Sequence, residues 1–158
     1  MTNAYQLKPW TQIVTPHPDI LEGRLDTSHY AASLGAVIRG DSTCPKVYRD
    51  AREFFKATYL TKELRKLLED VLRGLQGEPG DRVLQLRTPF GGGKTHALVS
   101  LYHIATSRSR LQNFPELATL PDPGQVKVAA FIGLDIDAST GIKIENGPHI
   151  LTPWGYLA

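Results

Sequence analysis

The amino-acid sequence predicts an α/β fold, in which a partial core of parallel strands follows a helical N-terminal segment. Three observations support this prediction. An apolar run, Val83–Leu86, comes directly before a loop with three successive glycines, and a segment with helical spacing, Lys94–Thr106, begins directly after them. A second apolar run, Val126–Leu134, follows a proline-rich connection. A strand, a helix and a second strand in this order form a βαβ unit, which implies a parallel sheet.

Apolar residues at helical spacing predict three helices before the first of these strands. They cover Ser28–Arg39, Asp50–Thr58 and the stretch that begins after Thr61 and stops near Gly77. The last helix has the clearest pattern, because its leucines and valine recur every three or four residues. Thr61 is a good N-cap for it, and Gly77 suits its C-terminal end.

The first 26 residues have a different character from the rest of the chain. Prolines interrupt them, and a Pro-His-Pro sequence cannot lie inside a helix. The segment also contains apolar side chains that could lie along a core: Trp10, Ile13, Val14 and Ile20. We therefore expect residues 1–26 to form an extended arm that packs on a domain made of residues 27–158.

The composition is that of a folded globular domain, with 158 residues, 41% hydrophobic and 22% charged. The formal net charge of +2 is too small to indicate a nucleic-acid partner by itself. Cys44 is the one cysteine, so an internal disulfide is excluded. The sequence has no apolar stretch near the roughly 20 residues that span a membrane and no signal-peptide pattern at its start. These features predict a cytoplasmic protein with no membrane partner.

The glycine-rich segment TPFGGGKT matches three of the four fixed positions of the Walker A pattern, G-x-x-x-x-G-K-[ST]. Thr88 stands where the pattern has its first glycine, which weakens the match. Successive glycines allow backbone N–H groups to turn inward around an anion, and the start of the next helix faces the same place. Lys94 would contact the β- and γ-phosphates, and the Thr95 hydroxyl would bind Mg²⁺.

We therefore predict a P-loop that binds ATP together with Mg²⁺, at the start of a P-loop NTPase-like core. The loop follows an apolar run and precedes an amphipathic helix, which is the context that this pattern requires. The predicted binding residues are Thr88, Pro89, Phe90, Gly91, Gly92, Gly93, Lys94, Thr95 and His96.

Efficient hydrolysis also needs an acidic residue at the end of a buried strand, the Walker B acid. Asp135 and Asp137 are weak candidates for this role. They follow the first strand after the P-loop helix, and their sequence is Asp-Ile-Asp rather than a pair of adjacent acids. We therefore expect residues 27–158 to be the N-terminal part of an ATPase domain, truncated before Walker B, that binds ATP without efficient turnover.

Four stretches of the sequence resemble a family of large bacterial and archaeal ATPases of the AAA+ superfamily. They are KPWTQIVTPHPDILEGR, EFFKATYLTKELRKLLEDVLRGL, TPFGGGKTHALVSLYH and LTPWGYLA. The glycine-rich stretch is the most specific, and a threonine at its first position is usual in this family. Its members are several times longer than this chain, and were long catalogued only as a domain of unknown function. They are often encoded near DNA methyltransferase and phage-defence genes.

The resemblance implies an ATP-driven machine in DNA-linked or antiviral defence processes. It also implies a homo-oligomer or a larger defence complex, with a nucleic-acid partner only by analogy. In the AAA+ superfamily the adenine packs just before the helix that precedes the P-loop strand. That position here is Phe55–Thr61, so we expect Tyr59 or Leu60 near the base.

Two other functions are compatible with a glycine-rich loop. The first is a complete small P-loop kinase, although such an enzyme needs a lid with arginines and no arginine follows Leu134. The second is a non-catalytic interaction module in which the loop only binds an anion. Calorimetry with ATP, GTP and ADP would separate these hypotheses.

Overall fold

The computed structural model describes residues 7–16, 18–23, 32–89, 91–133, 135–137, 139–145 and 147–157. The chain divides into two compact units, Met1–Ala31 and Ala32–Ala158. The described part of the first unit contains a 3₁₀ turn, Trp10–Gln12, and the short helix α1, Pro18–Leu21. Its Trp10 and Ile13 side chains are exposed. The packing of this arm on a domain stays a prediction.

The second unit is built mainly from helices. In chain order they are α2 (Leu34–Arg39), α3 (Lys46–Arg49), α4 (Ala51–Ala57), α5 (Lys62–Leu75), α6 (Lys94–Ser107), a 3₁₀ turn (Arg108–Leu111), α7 (Pro115–Ala118) and α8 (Pro153–Leu157). Two short strands, β1 (Ile142–Lys143) and β2 (His149–Ile150), pair antiparallel with Ile142 opposite Ile150. Within the described ranges, no helix has the length and apolarity that crossing a membrane requires.

The predicted parallel sheet is wrong. The described residues are mainly helical, and the sheet that they form has two antiparallel strands. Neither Val83–Leu86 nor the described part of Val126–Leu134 is a strand. A strand exists only where a neighbouring backbone completes its hydrogen bonds, and an apolar run does not specify that neighbour. Val83 is 86% exposed, and residues 126–130 instead line a groove with side chains of α5 and α6.

The helices predicted around residues 50–77 are confirmed, with ends that follow from local hydrogen bonds. Asp50 caps α4 by accepting from the backbone N–H groups of Arg52 (2.9 Å) and Glu53 (3.2 Å). Thr61 caps α5 by accepting from Leu64 N at 3.1 Å. After α5, Gly77 takes a φ of +89°, a conformation that favours glycine.

The helix predicted over Ser28–Arg39 starts later than expected. Residues 28–31 lie outside the described part, and α2 begins at Leu34 because the Ser33 side chain accepts from Ala36 N at 3.3 Å. Gly40 ends this helix with a φ of +64°, and the predicted end at Arg39 is therefore correct.

The core of the second unit lies among α2, α4, α5 and α6. Phe54 of α4 is 1% exposed, Leu68 of α5 is fully buried, and Val99 of α6 is fully buried. The Phe54 ring contacts the rings of two α6 histidines, with centroid distances of 4.6 Å to His96 and 5.2 Å to His103. This packing fixes α6 against α4, and therefore fixes the helix end at which the glycine loop finishes.

Candidate functional site

The glycine loop, defined as residues 88–93, connects an extended segment to the start of α6. Gly91 and Gly93 have φ values of +78° and +76°, in the region where other residues are strained. Gly92 needs to be glycine for another reason, because a Cβ atom there would collide with the Thr88 side chain. All three positions therefore require glycine, two by backbone conformation and one by close approach.

Lys94, the first residue of α6, folds its side chain back over this loop. Its Nζ donates to Thr88 O (3.1 Å), to Thr88 Oγ1 (3.1 Å) and to Pro89 O (3.3 Å). Gly92 N also donates to Pro89 O at 3.1 Å. Thr88, at the position where Walker A has its first glycine, thus supplies two of the three acceptors that hold the Lys94 ammonium at the loop.

The start of α6 presents the positive end of a fourteen-residue helix to the same region. Gly93 is its N-cap and has no side chain, so no side-chain hydrogen bond caps the helix, and its first turn contains no acidic residue. The first N–H groups of a helix have no partner within the helix and carry partial positive charge. This end of α6 is therefore suited to an anion.

A cavity of about 370 Å³ lies beside the glycine loop. Its lining includes Gly92, Gly93 and Lys94, together with Tyr59, which is 86% exposed, and two leucines of α5. The complete lining is Tyr59, Thr61, Glu63, Leu64, Leu67, Leu86, Thr88, Gly92, Gly93, Lys94, His96 and Ala97. A mainly apolar pocket of roughly 300–1,000 Å³ with a few polar groups is typical of small-molecule sites.

His96, in the first turn of α6, connects the cavity with the end of α4. Its Nε2 lies 3.1 Å from Thr58 Oγ1, and the Thr58 hydroxyl donates its proton to Phe54 O at 2.7 Å. Because a hydroxyl has one proton, Thr58 accepts from His96, which assigns a proton to His96 Nε2. Burial lowers the pKa of His96 and favours the neutral ring.

The two candidate catalytic acids have other partners. Asp135 forms a 2.6 Å ion pair with Arg39 of α2. Asp137 accepts from Ser139 N (2.7 Å) and Thr140 N (3.2 Å), which makes it the cap of a turn. The side-chain and backbone hydrogen bonds from Ser139, followed by the one from Thr140, lower the pKa of Asp137. Neither residue lines the cavity at the glycine loop.

The remaining predicted site residues are adjacent to the loop or lie outside the described part. Thr95 follows Lys94 in the first turn of α6 and is half-buried, whereas Phe90 lies outside the described residues. In the part of the chain that the structure describes, no three His, Cys, Asp or Glu side chains are grouped as a metal site would require. Sequence reasoning missed Thr58, because no sequence pattern relates a residue to a partner 38 positions away.

A family comparison identifies the domain to which these features belong. The model of the DUF499 N-terminal domain matches residues 11–130. The chain belongs to this family. The match includes the glycine loop, Lys94 and helices α2–α7. DUF499 is a domain of unknown function. No curated protein and no solved structure matches the chain.

Proposed function

We propose that this DUF499 domain binds ATP with Mg²⁺ through the glycine loop and the first turn of α6. The observation that carries the proposal is the Lys94 ammonium, held by three hydrogen bonds at a loop of three required glycines. A cation beside an uncapped helix N-terminus favours a polyphosphate. The Thr95 hydroxyl, next in sequence, would bind Mg²⁺. The strand expected before the loop is absent from the described residues, so this proposal rests on the loop and on α6.

We expect the adenine base in the cavity beside the loop, close to Tyr59. Tyr59 and the leucines Leu64 and Leu67 line this cavity, and an aromatic ring with aliphatic neighbours suits a flat, largely apolar base. Leu60, the alternative residue predicted near the base, lines a separate cavity with Phe55 and Phe114, whereas Tyr59 lines both cavities. The geometry therefore favours Tyr59 over Leu60.

Substitution of Lys94 tests the proposal directly. Lys94→Ala removes the charge at the loop, and we expect ATP binding to weaken by about 2 kcal/mol, or roughly thirtyfold, from loss of a charge-assisted contact. Lys46→Ala removes the same charge from an exposed site in α3 and is the matched control. Calorimetric titration with ATP, GTP and ADP gives the affinities, and circular dichroism establishes that both variants are folded. A folded Lys94→Ala variant with unchanged ATP affinity would refute the P-loop assignment.

We also expect binding without efficient turnover. In this proposal the glycine loop binds the phosphates equally well in the ground state and in the transition state. Equal binding of the two states does not accelerate the chemical step. The two candidate acids are engaged by Arg39 and by a turn. A steady-state phosphate-release assay tests this expectation. Mg²⁺-dependent turnover near about 1 s⁻¹, abolished by Asp135→Asn or Asp137→Asn, would contradict it.

The biological setting is proposed from the sequence. The family resemblance suggests an AAA+-like ATPase acting in DNA-linked or antiviral defence, as a homo-oligomer or in a larger complex, and the composition suggests the cytoplasm. Light scattering of the purified chain with and without ATP measures assembly. A monomer under both conditions would remove the support for the homo-oligomer.

A further inference from the structure

Two directed hydrogen bonds connect the helix that follows the glycine loop to the end of α4. His96 Nε2 donates to Thr58 Oγ1 at 3.1 Å, and Thr58 Oγ1 donates to Phe54 O at 2.7 Å. Thr58 is the residue at which α4 ends, and its backbone is extended, with φ −96° and ψ +120°. The connection therefore joins the first turn of α6 to the start of the connector between α4 and α5.

This connector, residues 58–61, carries one wall of the cavity beside the glycine loop. Tyr59 and Thr61 both line the cavity. At its far end the connector is anchored by Thr61, which caps α5 through Leu64 N. Thr61 N also donates to Tyr59 O at 3.0 Å. Tyr59 therefore lies between two residues that are held by hydrogen bonds, Thr61 at the start of α5 and Thr58 beside His96.

The His96 anchor is held in place by the core. The ring lies 4.6 Å from the Phe54 ring, centroid to centroid, and Phe54 is 1% exposed. Ser100 Oγ donates to His96 O at 2.8 Å in the next turn of α6. Because its ring packs on a buried neighbour, His96 cannot turn away from Thr58 without disturbing the core.

We propose that His96 and Thr58 are positioning residues that hold the Tyr59 wall against the glycine loop, and so make the site prefer a nucleotide over a bare polyphosphate. The inference rests on the proposed ATP site. A polyphosphate contacts only the glycine loop and Lys94, whereas a nucleotide also contacts the Tyr59 wall. Loss of the hydrogen bond should therefore weaken nucleotide binding and spare polyphosphate binding.

The experiment compares ATP with inorganic tripolyphosphate on the full chain by calorimetry. His96→Phe keeps an aromatic ring on Phe54 but removes the donor, and Thr58→Val removes the acceptor at similar volume. His96→Gln and Thr58→Ser are the conservative variants that keep a donor and a hydroxyl. We expect His96→Phe and Thr58→Val each to weaken ATP binding about fivefold, the effect of one lost hydrogen bond. In Thr58→Val, at a position that does not line the cavity, tripolyphosphate affinity should change less than about twofold by the same reasoning, and Thr58→Ser should bind both ligands like the wild type.

The alternative outcomes separate this inference from the proposed function. Equal loss of ATP and tripolyphosphate affinity would indicate a purely structural bond and overturn the inference, with the ATP site intact. Unchanged ATP affinity in both disruptive variants would overturn it as well. A wild-type chain that binds neither ligand would refute the ATP proposal and this inference together. Melting temperatures of the four variants establish that each binding measurement is made on folded protein.

Discussion

Helix α6 and the segment 126–133 are both rich in apolar residues, but they bury them to different extents. In α6, Val99 is fully buried and Ile104 is 2% exposed, whereas Val128 is 44% exposed and Phe131 is 38% exposed. A helix completes its backbone hydrogen bonds within itself and needs only side-chain packing from its neighbours. An extended segment needs a second backbone as well. Apolar residues are therefore buried more completely where the element supplies its own hydrogen bonds, although Leu98 of α6 is still 42% exposed.

The largest expected contrast in stability is between truncating a buried leucine of a helix and truncating an exposed leucine of an extended segment. Leu68→Ala, at a fully buried position of α5, should lower the free energy of unfolding by about 2–5 kcal/mol, because a cavity remains. Leu84→Ala, in the extended segment where Leu84 is 45% exposed, should cost less than about 1 kcal/mol. Urea denaturation monitored by circular dichroism measures both values. Comparable losses would show that residues 83–89 pack far more tightly than their exposure indicates.

A second, smaller contrast compares a glycine of the loop with a glycine inside a helix. Gly93→Ala should lower stability by about 1–2 kcal/mol, because φ there is +76°. Gly74→Ala, inside α5 and with no atom within 4 Å of an added Cβ, should raise stability by about 0.5–1 kcal/mol. Thermal and urea unfolding of the two variants gives the signs. A neutral or stabilising Gly93→Ala would mean that the left-handed turn before α6 is not maintained in solution.

The pH dependence of stability should reveal two histidines of α6, the buried His103 and the half-buried His96. Burial lowers the pKa of His96, and burial also lowers that of His103 despite its hydrogen bond to Tyr48 O. The unfolded chain, with histidine pKa values near the ordinary 6.5, therefore binds more protons below that pH. Stability should be complete above about pH 6.5 and fall as the pH decreases toward 5.

Replacing both histidines with glutamine, which keeps a donor and does not titrate, should flatten the curve between pH 5 and about 7. Acidic groups contribute at lower pH. Hydrogen bonds from Thr43, for example, lower the pKa of Asp41 below its ordinary 3.8. This carboxylate therefore does not titrate between pH 5 and about 7, where the histidines do. The measurement is the midpoint of urea unfolding at several pH values. An unchanged slope in the double variant would show that the two rings are hydrated in the folded chain.

Much of the candidate site could be predicted from the sequence, because its parts are neighbours along the chain. Three glycines, a lysine and the helix that follows are local features, and the structure confirms α6 starting at Lys94. The role of Thr88 was not predictable in the same way. Thr88 accepts from Lys94 and leaves no room for a Cβ atom at Gly92. Both properties depend on the folded conformation of the loop.

The longer helices and the ends at Thr61 and Gly77 followed from the sequence, because these residues act through hydrogen bonds and backbone conformations within a few positions. The tertiary structure alone decided which backbones pair and which distant side chains meet. It left Val83–Leu86 and 126–133 without strand partners, it paired Asp135 with Arg39, and it brought His96 to Thr58. The physical reason is range: caps and glycine turns are set by adjacent residues, whereas sheet pairing and contacts across the core depend on the packing of the whole unit.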